Sequence, residues 1–179
     1  YMTACVAATP TWRTSLKNLI ETTELNSVVI DIKDYSGKIV FPIENSDLKK
    51  FGSEEVRVKD LQDFIESLHQ KNIYIIGRVA VFQDPYMTKK RPEWAITRKS
   101  DGQVWKDKKG LSFLDPSNKE VWKYIVAIAQ DAYSQGFDEI NFDYIRYPSD
   151  GDMKDTVFTL STGSKSDQLE KFFSYLHEE

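Results

Sequence analysis

Charged side chains interrupt three stretches of this chain that otherwise read as β-strand, and their spacing turns them to one side. In Glu139-Ile140-Asn141-Phe142-Asp143 the alternation of a strand sets Glu139, Asn141 and Asp143 on one face. Ile140, Phe142 and Tyr144 fall on the other. Residues 27–33 repeat the device, with Val29, Asp31 and Lys33 opposite Val28, Ile30 and Ile32. Residues 73–82 carry Arg78 on the face of Tyr74, Ile76, Ala80 and Phe82, and Gly77 beside it leaves room for backbone or ligand to approach. Polar groups in such places are costly unless they are paired or used. The chemistry these residue types offer is that of carboxylates held ionised by nearby cations, with Asp143 at a strand end as the working group. Arg146 follows it, and Pro148 closes the strand. Asp31, with Lys33 beside it, reads as positioning rather than catalytic. Glu139 reads as a network member. The plainer alternative is an Asp–Arg pair that locks a loop.

The elements that must carry these groups alternate. Residues 1–8 read as a strand, and Thr9-Pro10 opens a helix with Leu16, Leu19 and Ile20 as its apolar stripe. Residues 27–33 are the second strand, followed by a turn at Asp34-Tyr35-Ser36-Gly37 and a short extra strand over 38–41. Helical spacing of Val58, Leu61, Phe64, Ile65 and Leu68 predicts a helix over 57–71, with His69 off the stripe and solvated. Residues 73–82 are the third strand. A long connection, 83–114, holds Tyr86, Trp94, Trp105 and Phe113, with a small hairpin pairing 95–98 and 103–106. Asp115-Pro116-Ser117 starts the next helix, with Ser117 and Glu120 at capping-box spacing and Val121, Ile125, Ile128, Ala129 and Ala132 inward, ending at Gly136. The strand of Asp143, a polar loop over 149–166 and a helix with Leu169, Phe172, Phe173 and Leu176 on one face complete the chain. Strand then helix, four times over, predicts an α/β fold with a parallel sheet. An inward polar strand face suits a barrel, and an eight-unit barrel needs about 250 residues. Four units give a partial (β/α)8 barrel, a small open sheet, or one half of an assembly of two copies.

Composition narrows the classes. The chain has 179 residues and a net charge of −4, with Lys and Arg scattered, which argues against nucleic acid as the main partner. No apolar run approaches the ~20 residues of a membrane span, and no signal peptide is visible. The first residue is Tyr, which suggests a processed chain or a piece of a longer protein. The single Cys5 reads as a small buried residue. No metal-ligand spacing, phosphate-cradling glycine loop or Ser/Cys–His arrangement is present, so neither metal nor cofactor is expected.

Taken together, "YMTA", "TELNSVVIDIKDYSG", "LDPSNKEVWKYIVAIAQDAYSQGFDEINFDYIRYPSDG" and "KSDQLEKFF" resemble a bacterial family of glycoside hydrolases with α-amylase-like (β/α)8 barrels. The resemblance covers nearly all of the chain and is to the N-terminal half of such a domain, making residues 1–179 one partial domain with a long loop at 83–114. It implies that Asp143, at the end of the fourth strand, is the nucleophile. The Arg that stands two residues before that carboxylate in classical amylases is Asn141 here, and Arg146 comes after it. The acid/base carboxylate would come from a fifth strand, so the remainder of a barrel or a second copy is needed. Substrate would be a polysaccharide, with an extracellular or cell-surface location. Asp31, Lys33, Arg78, Asn141 and Arg146 would shape its subsite. Tyr86, Trp94 and Trp105 would either stack on sugar rings or form the long loop's own small core; Phe142 and Tyr144 read as core. Two other readings remain open: a carbohydrate-binding barrel module without turnover, and a small flavodoxin-like domain binding an anion through Arg78 and Lys33. The first strand-to-helix turn has no glycine, which counts against a phosphate there.

Overall fold

The computed structural model describes residues 1–158 and 161–179; Thr159 and Leu160, part of the expected loop over 149–166, lie outside the described residues. In chain order the helices are α1 (Ala4–Ala8), α2 (Pro10–Glu21), α3 (Ser46–Lys49), α4 (Leu61–His69), α5 (Pro85–Lys90), α6 (Lys119–Ser134) and α7 (Lys165–Glu178). The strands are β1 (Ser27–Lys33), β2 (Tyr74–Ala80), β3 (Thr97–Arg98), β4 (Glu139–Asp143) and β5 (Thr156–Val157). The chain divides into two compact units. The first comprises Tyr1–Asp34, Lys38–Val79 and Ala129–Asp143; the second comprises Tyr35–Gly37, Ala80–Ile128 and Tyr144–Glu179.

In the first unit β1 and β2 pair in parallel, Ser27 opposite Tyr74 through Asp31 opposite Arg78. β4 follows β2 in the sheet. Val28, Ile30 and Ile32 are buried as the alternation requires, and so are Ile75 and Val79 from β2. The expected first strand shrinks to one parallel bridge, Met2 to Ile30. Thr3 caps α1 immediately afterwards, its Oγ1 accepting from Val6 N, because Ala4, Ala7 and Ala8 favour helix. Cys5 lies on that helix and is exposed, not buried. Met2, β1, β2 and β4 thus stand in sequential order. A flavodoxin-like sheet reverses its order at a switch point, and this one does not.

Local contacts moved several boundaries. Residues 57 and 58 do not start α4, since the Arg57 and Val58 amides donate to Val40 O at 2.9 and 3.2 Å and hold the chain off the helix. The expected strand over 38–41 is reduced to Ile39, bridged to Lys33 and Glu54. His69 has a partner: its Nε2 lies 2.9 Å from Asp138, whose Oδ2 also accepts from Ile75 N at 2.7 Å. Gly77 serves packing rather than a ligand, since a Cβ there would stand 2.0 Å from Ile32 Cδ1 and 3.0 Å from Phe137 Cδ1. β4 is an edge strand: Glu139 and Asn141 are exposed, and Phe142, expected in the core, is only half-buried.

In the second unit the expected hairpin forms, with Arg98 N donating to Gln103 O at 2.7 Å and Trp105 N to Ile96 O at 2.9 Å. β5, from the stretch read as a polar loop, adds antiparallel to β3. Ile96, Trp105 and Phe113 make a small core against Leu111, Met153 and Phe158. Phe172 of α7 packs its ring 5.1 Å from Phe82 and 5.7 Å from Trp122, while Phe173 is exposed. At the start of α6 the capping side chain is Asn118, whose Oδ1 accepts from Glu120 N; Ser117 instead bonds to Asp115.

Candidate functional site

The strand alternation delivers Asp31, Arg78 and Asp143 to one place in the first unit. Arg78 is the hub. Its Nη1 donates to Asp31 Oδ1 at 2.9 Å, and its Nε and Nη2 reach Asp143 Oδ2 at 2.8 and 2.7 Å. The Tyr1 hydroxyl sits 2.8 Å from both Asp31 oxygens and accepts from Arg78 Nη1 at 3.2 Å. The Arg78 guanidinium also lies 5.6 Å from the Tyr1 ring centre, so the cation is held on three sides. Tyr1 was not anticipated; its role depends on the Met2 bridge that brings the chain start alongside β1.

Burial separates the two carboxylates. The Asp31 side chain is 6% exposed and that of Asp143 47%, with Arg78 at 18% between them. Desolvation alone would lower the Arg78 pKa, but the hydrogen bonds to Asp31 and Asp143 outweigh it and raise the pKa above the usual arginine value. Arg78 therefore stays a cation. Asp31 is the anchor of the network, and Asp143 is the carboxylate that a ligand can reach.

Other candidates fall elsewhere. Lys33 is fully buried, and the register between β1 and β2 shifts between Asp31 and Lys33, so the alternation that should carry Lys33 beside Asp31 breaks there. It is not available to a ligand. With Lys33 interior and Arg78 committed to two carboxylates, the anion site expected from that pair is absent. Asn141 is exposed on the edge strand. In the second unit, Trp94 is 5% exposed and packs on Tyr124 with the Arg91 guanidinium 4.7 Å from its ring centre. Trp105 is 1% exposed, and its Nε1 donates to Asp152 O at 2.9 Å. Trp105 therefore builds the loop's small core, Trp94 packs against α6, and neither ring offers an open face to a sugar. Tyr86 is half-buried beside Gly37. Arg146 is exposed, its guanidinium 5.4 Å from the ring centre of Tyr144, which is half-buried rather than core. Among the described residues several clefts open in this unit. One of about 840 Å³ runs past Trp105, Lys89 and Arg98; one of about 250 Å³ lies between Tyr35, Gln83 and Arg146. Among the described residues no group of His, Cys, Asp and Glu could hold a metal ion, and no helix is long and apolar enough to cross a membrane.

Comparison with known proteins gives these features a context. Residues 1–179 match a family described as "Putative glycosyl hydrolase domain". A hypothetical protein from Ruminiclostridium thermocellum ATCC 27405 is 32% identical, with a TM-score of 0.91 over 98% of this chain and 90% of that one. The α-galactosidase from Thermus thermophilus, in complex with p-nitrophenyl α-D-galactopyranoside, is similar at a TM-score of 0.61 and 15% identity over 92% of this chain. A soil-metagenome α-xylosidase complexed with xylose is similar at a TM-score of 0.61 and 13% identity over 99% of this chain. The chain spans 31% and 26% of those two glycosidases, and the likeness to them is one of fold. No curated protein matches.

Proposed function

The chain belongs to the family described as putative glycosyl hydrolase domains, and from that premise we propose that it is part of a (β/α)8 glycoside hydrolase acting on a polysaccharide, with Asp143 as nucleophile or key carboxylate. The observation that carries this reading is the hold of one guanidinium, Arg78, on a buried Asp31 and a half-open Asp143. Glycoside cleavage sets two carboxyls about the scissile bond, ~5–5.5 Å apart for retention and ~6.5–9.5 Å for inversion, one serving as anion and one as proton donor. A carboxylate engaged by a guanidinium serves as the anion. Asp143 fits that part, and Arg78 fixes its orientation without removing it from solvent. Asp31 holds Arg78 in turn, with Tyr1 as the third member. The proton donor is then a carboxyl outside this trio, on the remainder of the barrel. Asn141, exposed on the same strand, is a candidate to meet substrate hydroxyls.

The test is Asp143→Asn in the full-length protein. Release of reducing ends from a cleaved glycan should fall by at least about 10³-fold, the scale on which a chemical group's loss is felt, with the unfolding midpoint little changed. Turnover at the wild-type rate would end the assignment. Glycan binding with no turnover in the wild type would instead favour a carbohydrate-binding module.

A further inference from the structure

The smaller cleft of the second unit holds groups that the carboxylate network does not use. Tyr35 is 61% exposed, so an aromatic ring stands open at its edge. The loop beneath that ring is fixed. Gln83, 7% exposed, donates from Nε2 to Tyr35 O at 3.4 Å, and Gly37 takes a φ of +84° with Asp84 packed so closely that no Cβ would fit. Across the lining, Tyr144 has a φ of +56°. A bulky residue in that region stores about 1–3 kcal/mol of strain, and such strain gathers where a side chain must be aimed. Here it aims the Tyr144 ring beneath the Arg146 guanidinium.

The charges of the lining are unequal in their commitments. Asp107 Oδ1 accepts from the Lys109 and Leu111 amides at 2.9 and 2.8 Å, closing its own turn. Asp150 lies 3.4 Å from Lys108 Nζ. Among the described residues neither Arg146 nor Lys109 has an ion-pair partner. The two acids thus have partners of their own, and among the described residues the two cations have no carboxylate. An aromatic platform with a guanidinium and an ammonium beside it suits a pyranose ring that carries a negative substituent, and the Arg fork matches a carboxylate or a sulfate bidentately. A volume of about 250 Å³ lies below the ~300–1,000 Å³ of drug-sized pockets, which suits one ring rather than a chain segment.

We propose that this cleft binds one anionic sugar residue, stacked on Tyr35 and held through its charge by Arg146 and Lys109, so that the polysaccharide substrate is an acidic one. The proposal rests on the glycoside hydrolase reading for the word substrate, but the binding site uses neither Asp143 nor its hydrogen-bond partner Arg78. The test is calorimetric titration of the full-length protein with three oligosaccharides of equal length: an oligogalacturonide, a sulfated galactan oligomer and a neutral cello-oligosaccharide. The wild type should bind a charged oligomer at least about tenfold more tightly than the neutral one, with carboxylate and sulfate arms telling the two sources of charge apart. Arg146→Gln should remove that preference, since a hydrogen bond to a charged group is worth about 10- to 100-fold in affinity. Arg146→Lys should restore part of it, and Tyr35→Ala should weaken binding of all oligomers that enter the cleft. Asp143→Asn should leave the preference intact. Equal binding of charged and neutral oligomers, or indifference to Arg146→Gln, would overturn the proposal even if glycans are cleaved. Charge-dependent binding through Arg146 without any cleavage would sustain it while removing the hydrolase reading.

Discussion

Arg78 has two carboxylate neighbours and is mostly buried, and this fixes what its loss would do. Arg78→Met keeps the side-chain bulk and removes every hydrogen bond to Asp31 and Asp143. The buried Asp31 carboxyl would then lose its guanidinium and keep the Tyr1 hydroxyl. Breaking a fully buried pair costs about 3–5 kcal/mol; since Asp143 is about half open, a loss of about 2–3 kcal/mol is expected, read by urea unfolding. At this scale the sequence was legible where alternation held. Charged residues set on one face of strands 27–33, 73–82 and 139–143 pointed to Asp31, Arg78 and Asp143 directly. It failed at Lys33, because a register shift cannot be seen in side-chain types. It left Trp94 and Trp105 open between two readings, since a buried tryptophan and a sugar platform are the same letter. Tyr35, whose ring is open, was read only as part of a turn.

Secondary-structure elements were legible by kind more than by boundary. α2, α4, α6, α7 and the three main strands lie where hydrophobic spacing put them. The ends were set by contacts that no local pattern carries, such as the bonds of Arg57 and Val58 to Val40 and the single Met2 bridge. Two predictions belong here. Gly77→Ala would drive a methyl into Ile32 and Phe137 between β2 and its neighbours, so a destabilisation of about 1–3 kcal/mol is expected from chemical denaturation. The second concerns Arg13 of α2 and Asp60, which precedes α4. The Arg13 guanidinium donates to both Asp60 oxygens, at 2.9 and 2.6 Å, and this hydrogen bonding holds the Asp60 pKa below the usual aspartate value. A carboxyl whose folded pKa is depressed stabilises above its unfolded pKa and loses that contribution as pH falls through the folded value. The Asp60 side chain is 49% exposed, so screening limits the pair to roughly 0.5–1 kcal/mol. Asp60→Asn should lower the unfolding free energy at neutral pH by that amount and leave a smaller difference as pH falls through the depressed Asp60 pKa.

For the molecule as a whole, alternating strand and helix patterns gave the α/β class and the parallel pairing that the sheet displays. The division into two units was not legible, because it cuts within α6 after Ile128, where the sequence is continuous and helical. Nor could strand count alone weigh a flavodoxin-like sheet; the sequential strand order speaks against one. Placing Asp143 at the end of β4, oriented by Arg78 and open to solvent, turns the fold into an account of chemistry. Its most direct test is external rescue of the missing carboxylate. In the full-length protein, Asp143→Ala should be inactive on an activated glycoside, and added azide should restore turnover with the glycosyl azide as product. Unchanged hydrolysis by Asp143→Ala without azide would contradict the account.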